Sequence, residues 1–269
     1  MTPLQFQKKV LDFYAKNGRS FPWRRTKDPY HILVSEIMLQ QTQTHRVVPK
    51  YEEFLKKFPT IISLASAPLA DVLRVWQGLG YNRRALYLQR TAKAVTANYG
   101  GQIPSSISKL LALPGIGPYT AGAIMAFAHN KPVVIIETNI RAAVLHDFFA
   151  HSAKVSDEKL KPILVRALPK TNTRRWYQAL MDYGAFIKQK YGNPCRRSAR
   201  HAKQSAFAGS DREIRGQVIG ALANTAGMSK DALSKKISGE PFRQNKILKK
   251  LVAEGLISIS RGTVKITQS

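Results

Sequence analysis

The sequence predicts an all-α chain that ends in a small C-terminal winged helix-turn-helix domain. Apolar residues recur at helical spacing through most of the first two hundred residues, where strand signals are weak. Two glycine-rich turns, one ending at Tyr81 and one just before Tyr119, separate these apolar helical segments. Residues 211–269 then combine three helical segments with a pair of short alternating strands, which is the pattern of a winged helix.

The composition indicates a partner with many negative charges. The 269-residue chain has 43 Lys and Arg against 16 Asp and Glu, a formal net charge of +27. We therefore expect a nucleic acid as the partner, and the motifs described below narrow this to double-stranded DNA. No apolar run approaches the roughly 20 residues of a membrane span, and the N-terminus shows no signal segment. We expect a cytoplasmic, nucleoid-associated monomer that does not bind membranes.

The helices of the first two hundred residues follow from apolar periodicity and from the residues that stop it. The segment Phe21-Pro22-Trp23-Arg24-Arg25 ends the first helix, because proline holds the preceding residue in extended backbone. Prolines 59 and 68 each start a short helix. The longer helical segments are expected at residues 4–17, 29–58, 83–97, 121–128 and 138–149.

The run Leu113-Pro114-Gly115-Ile116-Gly117 is typical of the turn in a helix-hairpin-helix. Its two glycines admit positive φ and let the backbone approach another surface closely. The helix that follows starts at Pro118-Tyr119-Thr120, and the N–H groups of a helix N-terminus form a ready phosphate site. We expect this turn to contact a DNA backbone. Glu137, eighteen residues after Tyr119, offers a carboxylate for chemistry on the nucleotide that the turn holds.

A basic segment and a linker precede the C-terminal domain. Six Lys or Arg and no acid lie between Lys188 and Lys203, so the segment either contacts phosphates or is a solvated run of charge. Residues 206–210 form the linker. A winged helix over 211–269 binds a DNA major groove or another protein, and the sequence leaves both open.

The chain resembles the helix-hairpin-helix (HhH-GPD) DNA glycosylases, specifically their MutY-type adenine branch. The similarity covers about residues 21–203. It implies a two-lobed helical domain over 1–207, with a six-helix barrel at about 22–134 and a second lobe formed by 1–21 and 135–207. The segments that carry it are Phe21-Pro22-Trp23-Arg24, the run from Val34 to Gln43 with its Val-Ser-Glu and Gln-Gln motifs, Gly78-Leu79-Gly80-Tyr81, and the hairpin turn through Gly122.

The resemblance implies an enzyme that flips a mispaired adenine out of DNA and hydrolyses its N-glycosidic bond, opposite 8-oxoguanine or guanine. It assigns the general acid to Glu36 and the second carboxylate to Glu137, which Asn139 supports. Tyr119 stands where bifunctional lyases have lysine. A phenol forms no Schiff base, so we expect a monofunctional enzyme without strong lyase activity. The expected DNA contacts, among which Gln40 and Gln41 form the wedge, are Arg24, Gln40, Gln41, Thr42, Leu79, Gly80, Tyr81, Gly115, Gly117, Thr120, Arg196 and Arg197.

The neighbouring residues in the sequence agree with the catalytic roles expected for Glu36 and Glu137. Each of the two residues also has a purely structural alternative. Glu36 lies in the apolar run Ile32-Leu33-Val34-Ser35-Glu36-Ile37-Met38, where burial would keep it protonated as an acid. The alternative is a helix glutamate that faces solvent or caps a neighbouring residue. Glu137 precedes a helix start, where it stabilises a cation at the sugar or acts as nucleophile. The alternative is an acid that only interacts with the helix dipole.

The chain departs from the family pattern in three places. Glu137 stands where the family has aspartate, and a displaced carboxylate can cost ~10²-fold in rate unless the backbone compensates. The four cysteine positions of the family's iron–sulfur cluster fall on Lys188, Cys195, Ser198 and Gln204, so we expect no cluster and no metal. A monovalent cation at the hairpin turn is the one candidate ion. A winged helix replaces the Nudix-like domain that reads 8-oxoguanine in many adenine glycosylases.

Two alternative functions remain open at this stage. A thymine or uracil mismatch glycosylase would share Tyr119 and much of the scaffold. A DNA-binding mismatch sensor would have lost catalysis through the change from aspartate to Glu137. The first is distinguished by which base is excised, and the second by mismatch binding without product.

Overall fold

The computed structural model describes residues 1–199, 201 and 206–268. Three residues considered above, Arg200, Lys203 and Gln204, lie outside this part. No helix of the described chain combines the length and apolar character that crossing a bilayer requires. The α-helices are α1 Pro3–Asn17, α2 Pro29–Leu39, α3 Thr44–Lys57, α4 Ile61–Ser66, α5 Leu69–Trp76, α6 Arg83–Tyr99, α7 Ile107–Leu111, α8 Pro118–Phe127, α9 Thr138–Phe148, α10 Asp157–Ala167, α11 Thr173–Tyr191, α12 Asp211–Leu222, α13 Lys230–Ser234 and α14 Pro241–Glu254.

The predicted fold class is confirmed: the described chain is predominantly helical, with one small C-terminal sheet. Its strands are β1 Met228–Ser229, β2 Ile257–Ser260 and β3 Thr263–Ile266, in the order β1-β3-β2. The strands are antiparallel, and Ile257 of β2 lies opposite Ile266 of β3. The sequence predicted the β2–β3 hairpin but not β1, because two residues are too few to show an alternating pattern.

Two features of the helices differ from what the sequence predicted. The basic segment was predicted as a loop from Lys188 onward, but Lys188 and Lys190 lie in the last turn of α11. Cations there interact favourably with the negative end of the helix dipole. Neither α10 nor α11 was predicted as a separate helix, although Trp176, Leu180 and Ile187 of α11 are buried at helical spacing.

The chain forms two compact units. The first contains Met1–Ile32, Ser105–Leu111 and Gly117–Lys203, and the second contains Leu33–Pro104, Ala112–Ile116 and Gln204–Ser269. This division differs from the predicted domains: the winged helix shares a unit with most of the predicted barrel, whereas residues 105–111 and 117–134 belong to the first unit.

The winged helix shares the second unit because it is hydrogen-bonded to α5. Arg74 of α5 donates to the carbonyl of Ala223 at 2.7 Å and to the side chain of Asn224 at 2.9 Å, just after α12. Within the domain, Ser229 caps α13 by accepting from the N–H of Ala232. Trp76 at the end of α5 packs edge-on against Phe54, with ring centroids 5.9 Å apart.

The first unit is organised around α11. Phe6 of α1 packs edge-on against Trp176 of α11 and against Phe148, at centroid distances of 6.1 and 5.2 Å. Farther along α11, Gly184 lets the helix approach the first turn of α9. A Cβ added at Gly184 would lie 1.9 Å from the carbonyl oxygen of Asn139. Only glycine therefore permits this packing without a shift of α9 or α11.

We predict that Gly184→Ala lowers the free energy of unfolding by about 1–3 kcal/mol, the usual cost of overpacking a core. The backbone oxygen of Asn139 cannot rotate away as a side chain can, so α9 or α11 must move. Urea denaturation followed by far-UV circular dichroism measures the change.

Gly220→Ala is the matched control, because Gly220 is also inside a helix and has nothing within 4 Å of its added Cβ. That variant should gain about 0.5–1 kcal/mol from the better helix propensity of alanine. Equal effects of the two substitutions would contradict the close-approach argument.

Candidate functional site

The hairpin turn has the glycine geometry that its sequence predicts. Gly115 has a φ of +79°, and an added Cβ would lie 2.7 Å from the Cβ of Tyr87 in the same unit. Glycine is therefore required here both by backbone conformation and by space. Gly117 is the N-cap of α8 and has extended backbone, and Thr120 in the first turn of α8 is buried. Tyr119 is half-buried in that turn. Contact of this turn with DNA stays a prediction.

Glu137 is the N-cap of α9. Its Oε1 accepts the backbone N–H of Asn139 at 2.7 Å and that of Ile140 at 2.8 Å. The side-chain amide of Asn139 donates to Oε2 at 3.3 Å. An N-cap carboxylate that accepts two N–H groups satisfies two of the helix donors that otherwise lack partners. The predicted supporting role of Asn139 thus has a geometric counterpart, because Asn139 contacts both carboxylate oxygens.

The surroundings of Glu137 act on its charge in opposite directions. Desolvation by burial raises the pKa of the carboxyl group above its ordinary value of 4.5. The hydrogen bonds from Asn139 and Ile140 and the charges of Lys188 and Arg141 lower it, but burial outweighs them. A carboxylate kept out of water interacts more strongly with a nearby positive charge. This is the electrostatic environment expected of a group that stabilises a cationic transition state.

Glu36 lies inside α2, and 6% of its surface is exposed. The residues on either side, Ser35 and Ile37, are buried as well. The solvent-facing alternative for Glu36 is therefore wrong. A carboxyl group is rarely buried to this degree in a helix unless a specific environment supports it. The burial is consistent with the predicted acid, while its role in chemistry stays a prediction.

Arg84 of α6 is the residue of this region that the sequence analysis missed. Its Nη1 donates to the carbonyls of Ile37 at 2.9 Å and Met38 at 2.8 Å, and also to that of Gln40. Its Nη2 donates to Leu79 and Gly80 at 3.0 Å. The guanidinium therefore joins the end of α2 to the glycine turn.

The same guanidinium fixes another predicted DNA contact. Thr42 accepts from Nη2 of Arg84 at 3.0 Å, and its hydroxyl donates to the carbonyls of Gln40 and Leu79. Burial lowers the pKa of Arg84 to about 10, so it remains charged at neutral pH. The position of Arg84, three residues after Tyr81, was the available signal, since two adjacent turns rich in main-chain carbonyls need a donor.

The predicted wedge residues border one cleft of the second unit. Gln40, Gln41, Gly80 and Tyr81 all line this cleft, which has a volume of about 480 Å³. Gln41 and Tyr81 have positive φ, +54° and +49°, an uncommon conformation for residues with side chains. Strain of this kind concentrates at binding sites. Leu79, in contrast, is buried and contributes its carbonyl to Arg84.

Arg24 makes an ion pair inside the first unit. Its guanidinium donates to both carboxylate oxygens of Asp182 at 2.8 Å, and Asp182 is 3% exposed. Arg19 donates to the same carboxylate through its backbone N–H and its Nε. Burial raises the pKa of Asp182, but these hydrogen bonds and charges outweigh it and the pKa is lowered. Arg24 thus holds the Phe21–Arg25 segment on α11, and its DNA contact stays a prediction.

The positions that correspond to the family's cluster cysteines do not fit an iron–sulfur cluster. Lys188 is a cation, and Ser198 is a buried hydroxyl residue. Cys195 is the single cysteine of the chain, and its Sγ donates to the carbonyl of Thr138 at 3.2 Å. Burial raises the pKa of its thiol, which disfavours the thiolate that binds metals.

Of the two basic residues expected to contact DNA here, Arg196 is exposed and Arg197 donates to the carbonyl of Leu145.

The sequence of this chain matches one protein family over half its length. A model of the HhH-GPD superfamily base excision DNA repair proteins matches residues 34–170. The chain belongs to the HhH-GPD superfamily. This range contains Glu36, the glycine turn, the hairpin turn and Glu137, so the candidate residues described above lie mostly inside it.

Individual relatives place this HhH-GPD protein in the MutY-type branch. The adenine DNA glycosylase of Mycolicibacterium smegmatis is 32% identical over 268 residues, covering 92% of this chain and 91% of that protein. The adenine DNA glycosylase of Buchnera aphidicola subsp. Baizongia pistaciae is 38% identical over 200 residues, covering 72% and 56%. The chain therefore spans little more than half the length of the Buchnera relative.

A solved structure supports the same fold. The structure of a thermostable thymine-DNA glycosylase superposes with a TM-score of 0.63 and 27% sequence identity, covering 72% of this chain and 91% of that one. The chain thus belongs to a superfamily of base excision DNA repair proteins by sequence, and it shares the fold of a solved DNA glycosylase.

We predict that Glu137→Gln becomes more stable relative to wild type as the pH rises. A carboxyl whose pKa is raised by folding stabilises the fold fully below its unfolded pKa and loses that contribution as the pH passes the folded value. Between the unfolded and folded pKa values, the free energy of unfolding of Glu137→Gln should rise relative to that of wild type by about 1.4 kcal/mol for each pH unit. Urea unfolding between pH 4 and pH 8 measures it.

Glu52→Gln on α3 controls for the amide substitution, since Glu52 is an exposed helix residue. The opposite result is that wild type becomes more stable relative to Glu137→Gln as the pH rises. The carboxylate would then be stabilised by the nearby cations and hydrogen bonds more than it is penalised by burial.

Proposed function

We propose that this protein is a monofunctional adenine DNA glycosylase that hydrolyses the N-glycosidic bond of a flipped adenine opposite 8-oxoguanine or guanine. The observation that carries the proposal is the similarity to an adenine DNA glycosylase across nearly the whole of both chains, winged-helix region included. The thermostable thymine-DNA glycosylase shares the fold at lower sequence identity. Thymine excision is therefore the alternative that the assay below must separate.

In the proposed reaction Glu36 donates a proton to the leaving adenine. Departure of a neutral purine requires this proton, because the electrons of the C1′–N bond leave with the base. Glu36 is buried in α2, within the segment to which the family resemblance assigns the general acid. After cleavage Glu36 is left as a carboxylate.

Glu137 stabilises the positive charge that develops on the sugar as the bond breaks. Its Oε1 is held by two N–H groups of α9, and Oε2 is held by the longer bond from Asn139. The extra methylene of glutamate therefore does not leave the carboxylate mobile, because the cap fixes its position. A water molecule then attacks C1′ and its proton returns to the Glu36 carboxylate, so that the products are adenine and an abasic site. The Asp-to-Glu change is compatible with catalysis in this arrangement.

We further propose that the protein works without an iron–sulfur cluster. The thiol of Cys195 and the main chain take over the attachment of the segment after α11. Val155 donates to the carbonyl of Arg197 at 2.8 Å and accepts from the N–H of Ala199 at 3.0 Å. These contacts need no thiolate and no metal.

The decisive experiment is single-turnover cleavage with alkali treatment. The four duplexes carry adenine opposite 8-oxoguanine, adenine opposite guanine, thymine opposite guanine and uracil opposite guanine. We expect strand breaks at adenine, and a loss of rate of about 10²-fold or more in both Glu36→Gln and Glu137→Gln. Glu52→Gln, which changes an exposed glutamate, should cleave at the wild-type rate.

Other outcomes assign other functions. Breaks confined to thymine or uracil would make the protein a mismatch pyrimidine glycosylase. Tight mismatch binding with no breaks in any duplex would make it a sensor. Full activity of Glu137→Gln would remove that residue from the mechanism while leaving the glycosylase assignment in place.

We also predict that the protein forms no covalent adduct with DNA under borohydride. The residue at the start of α8 is Tyr119, which has no amine to attack the opened sugar. Incubation with abasic-site DNA and sodium borohydride, followed by denaturing electrophoresis, measures adduct formation. A bifunctional lyase serves as the positive control, and a shifted protein–DNA band in this chain would contradict monofunctionality.

A further inference from the structure

The cleft that holds the predicted wedge residues has a second wall made by the winged helix. Gln40, Gln41 and Tyr81 form one side, and Arg212 and Arg215 of α12 form the other. Its volume of about 480 Å³ falls within the range of about 300–1,000 Å³ typical of small-ligand pockets. The family model matches residues 34–170, so the second wall lies outside the matched range.

The charge of this cleft fits a nucleotide. Arg83, Arg84, Arg212 and Arg215 line it together with a single acid, Glu254. Glu254 is neutralised inside the cleft, because both of its oxygens accept from Arg215, at 3.1 and 2.5 Å. The remaining excess of positive charge attracts an anionic ligand, and the backbone phosphate of a nucleotide supplies that charge.

Arg212 is positioned to read a base edge. Its Nη1 donates to the hydroxyl of Tyr81 at 2.9 Å, and its Nη2 donates to the carbonyl of Ala206 at 3.2 Å. The guanidinium carbon lies 5.7 Å from the centre of the Tyr81 ring. The guanidinium of Arg212 is therefore held at the cleft beside the ring and hydroxyl of Tyr81. A guanidinium fork presents paired donors that match the O6 and N7 acceptors of guanine.

We propose that α12 completes the binding site for the base opposite the excised one, and that Arg212 selects a guanine-type purine there. The amides of Gln40 and Gln41 supply donors and acceptors on the facing wall. The winged helix thus reads the opposite base through the N-terminal half of its first helix. The proposal rests on the proposed function for the identity of the DNA lesion, but it concerns binding and not bond cleavage.

The test measures binding to duplexes in which no reaction can occur. A tetrahydrofuran abasic analogue replaces the excised nucleotide, and the opposite position carries 8-oxoguanine, guanine, cytosine or a second tetrahydrofuran. Fluorescence anisotropy gives the Kd of each duplex. We expect wild type to prefer 8-oxoguanine and guanine over cytosine. Arg212→Met should lose about 5- to 150-fold in affinity for the two purine duplexes, the range of one bidentate base contact.

The duplex with two tetrahydrofuran residues separates recognition from damage to the fold. It has no opposite base, so Arg212→Met should bind it nearly as wild type does. Arg166→Met, which removes an exposed arginine from α10, should leave all four affinities within about twofold. Tyr81→Phe removes the hydroxyl that accepts from Arg212 and should lower the purine preference in the same direction.

An equal loss of affinity on all four duplexes would overturn the proposal, because Arg212 would then act through the fold or through phosphates. An unchanged purine preference in Arg212→Met would overturn it as well. These results are independent of adenine excision. A protein that discriminates the opposite base but excises no adenine would refute the proposed function and leave this inference intact.

Discussion

The side chain of Arg84 holds together the region on which the predicted wedge depends. A helix ends with carbonyl groups that have no partner within the helix, and α2 ends immediately before Gln40 and Gln41. Arg84 donates to three of the carbonyls at this end and to two in the glycine turn. A buried cation here also interacts favourably with the negative end of the α2 dipole. One guanidinium therefore sets the backbone geometry on both sides of the cleft entrance.

Glu137 has the complementary position in the first unit, as an anion at a helix N-terminus. Its structural role and its proposed catalytic role are compatible, because the cap hydrogen bonds fix the position of the carboxylate. Burial raises the pKa of Glu137, whereas the hydrogen bonds and charges of Arg24 and Arg19 lower the pKa of Asp182. The surroundings of Glu137 therefore penalise its charged form, and those of Asp182 favour it.

The sequence indicated those parts of the structure that depend on local pattern. Apolar periodicity predicted most helices, and alternation predicted the β2–β3 hairpin. The burial of Glu36 followed from the apolar residues around it. Arg84, Asp182 and Gly184 were not predicted, because each takes its meaning from a partner distant in sequence. An arginine beside a turn or an aspartate in a helix looks like a surface charge until the acceptor or donor is known. The compact units depend on contacts of the same kind, since Arg74 links α5 to a segment about 150 residues away.

The loss of the cluster cysteines changes the electrostatics around Glu137. Lys188 stands at the first of the four positions, where the family pattern has a thiolate. Its positive charge lowers the pKa of Glu137 and opposes the effect of burial. Cys195 at the second position is kept as a neutral thiol and bonds to the carbonyl of Thr138, the residue next to Glu137. A cation thus replaces an anion near a carboxylate that must ionise to stabilise positive charge on the sugar. The positive charge of Lys188 therefore favours the ionised form of Glu137 and acts against the effect of burial on its pKa.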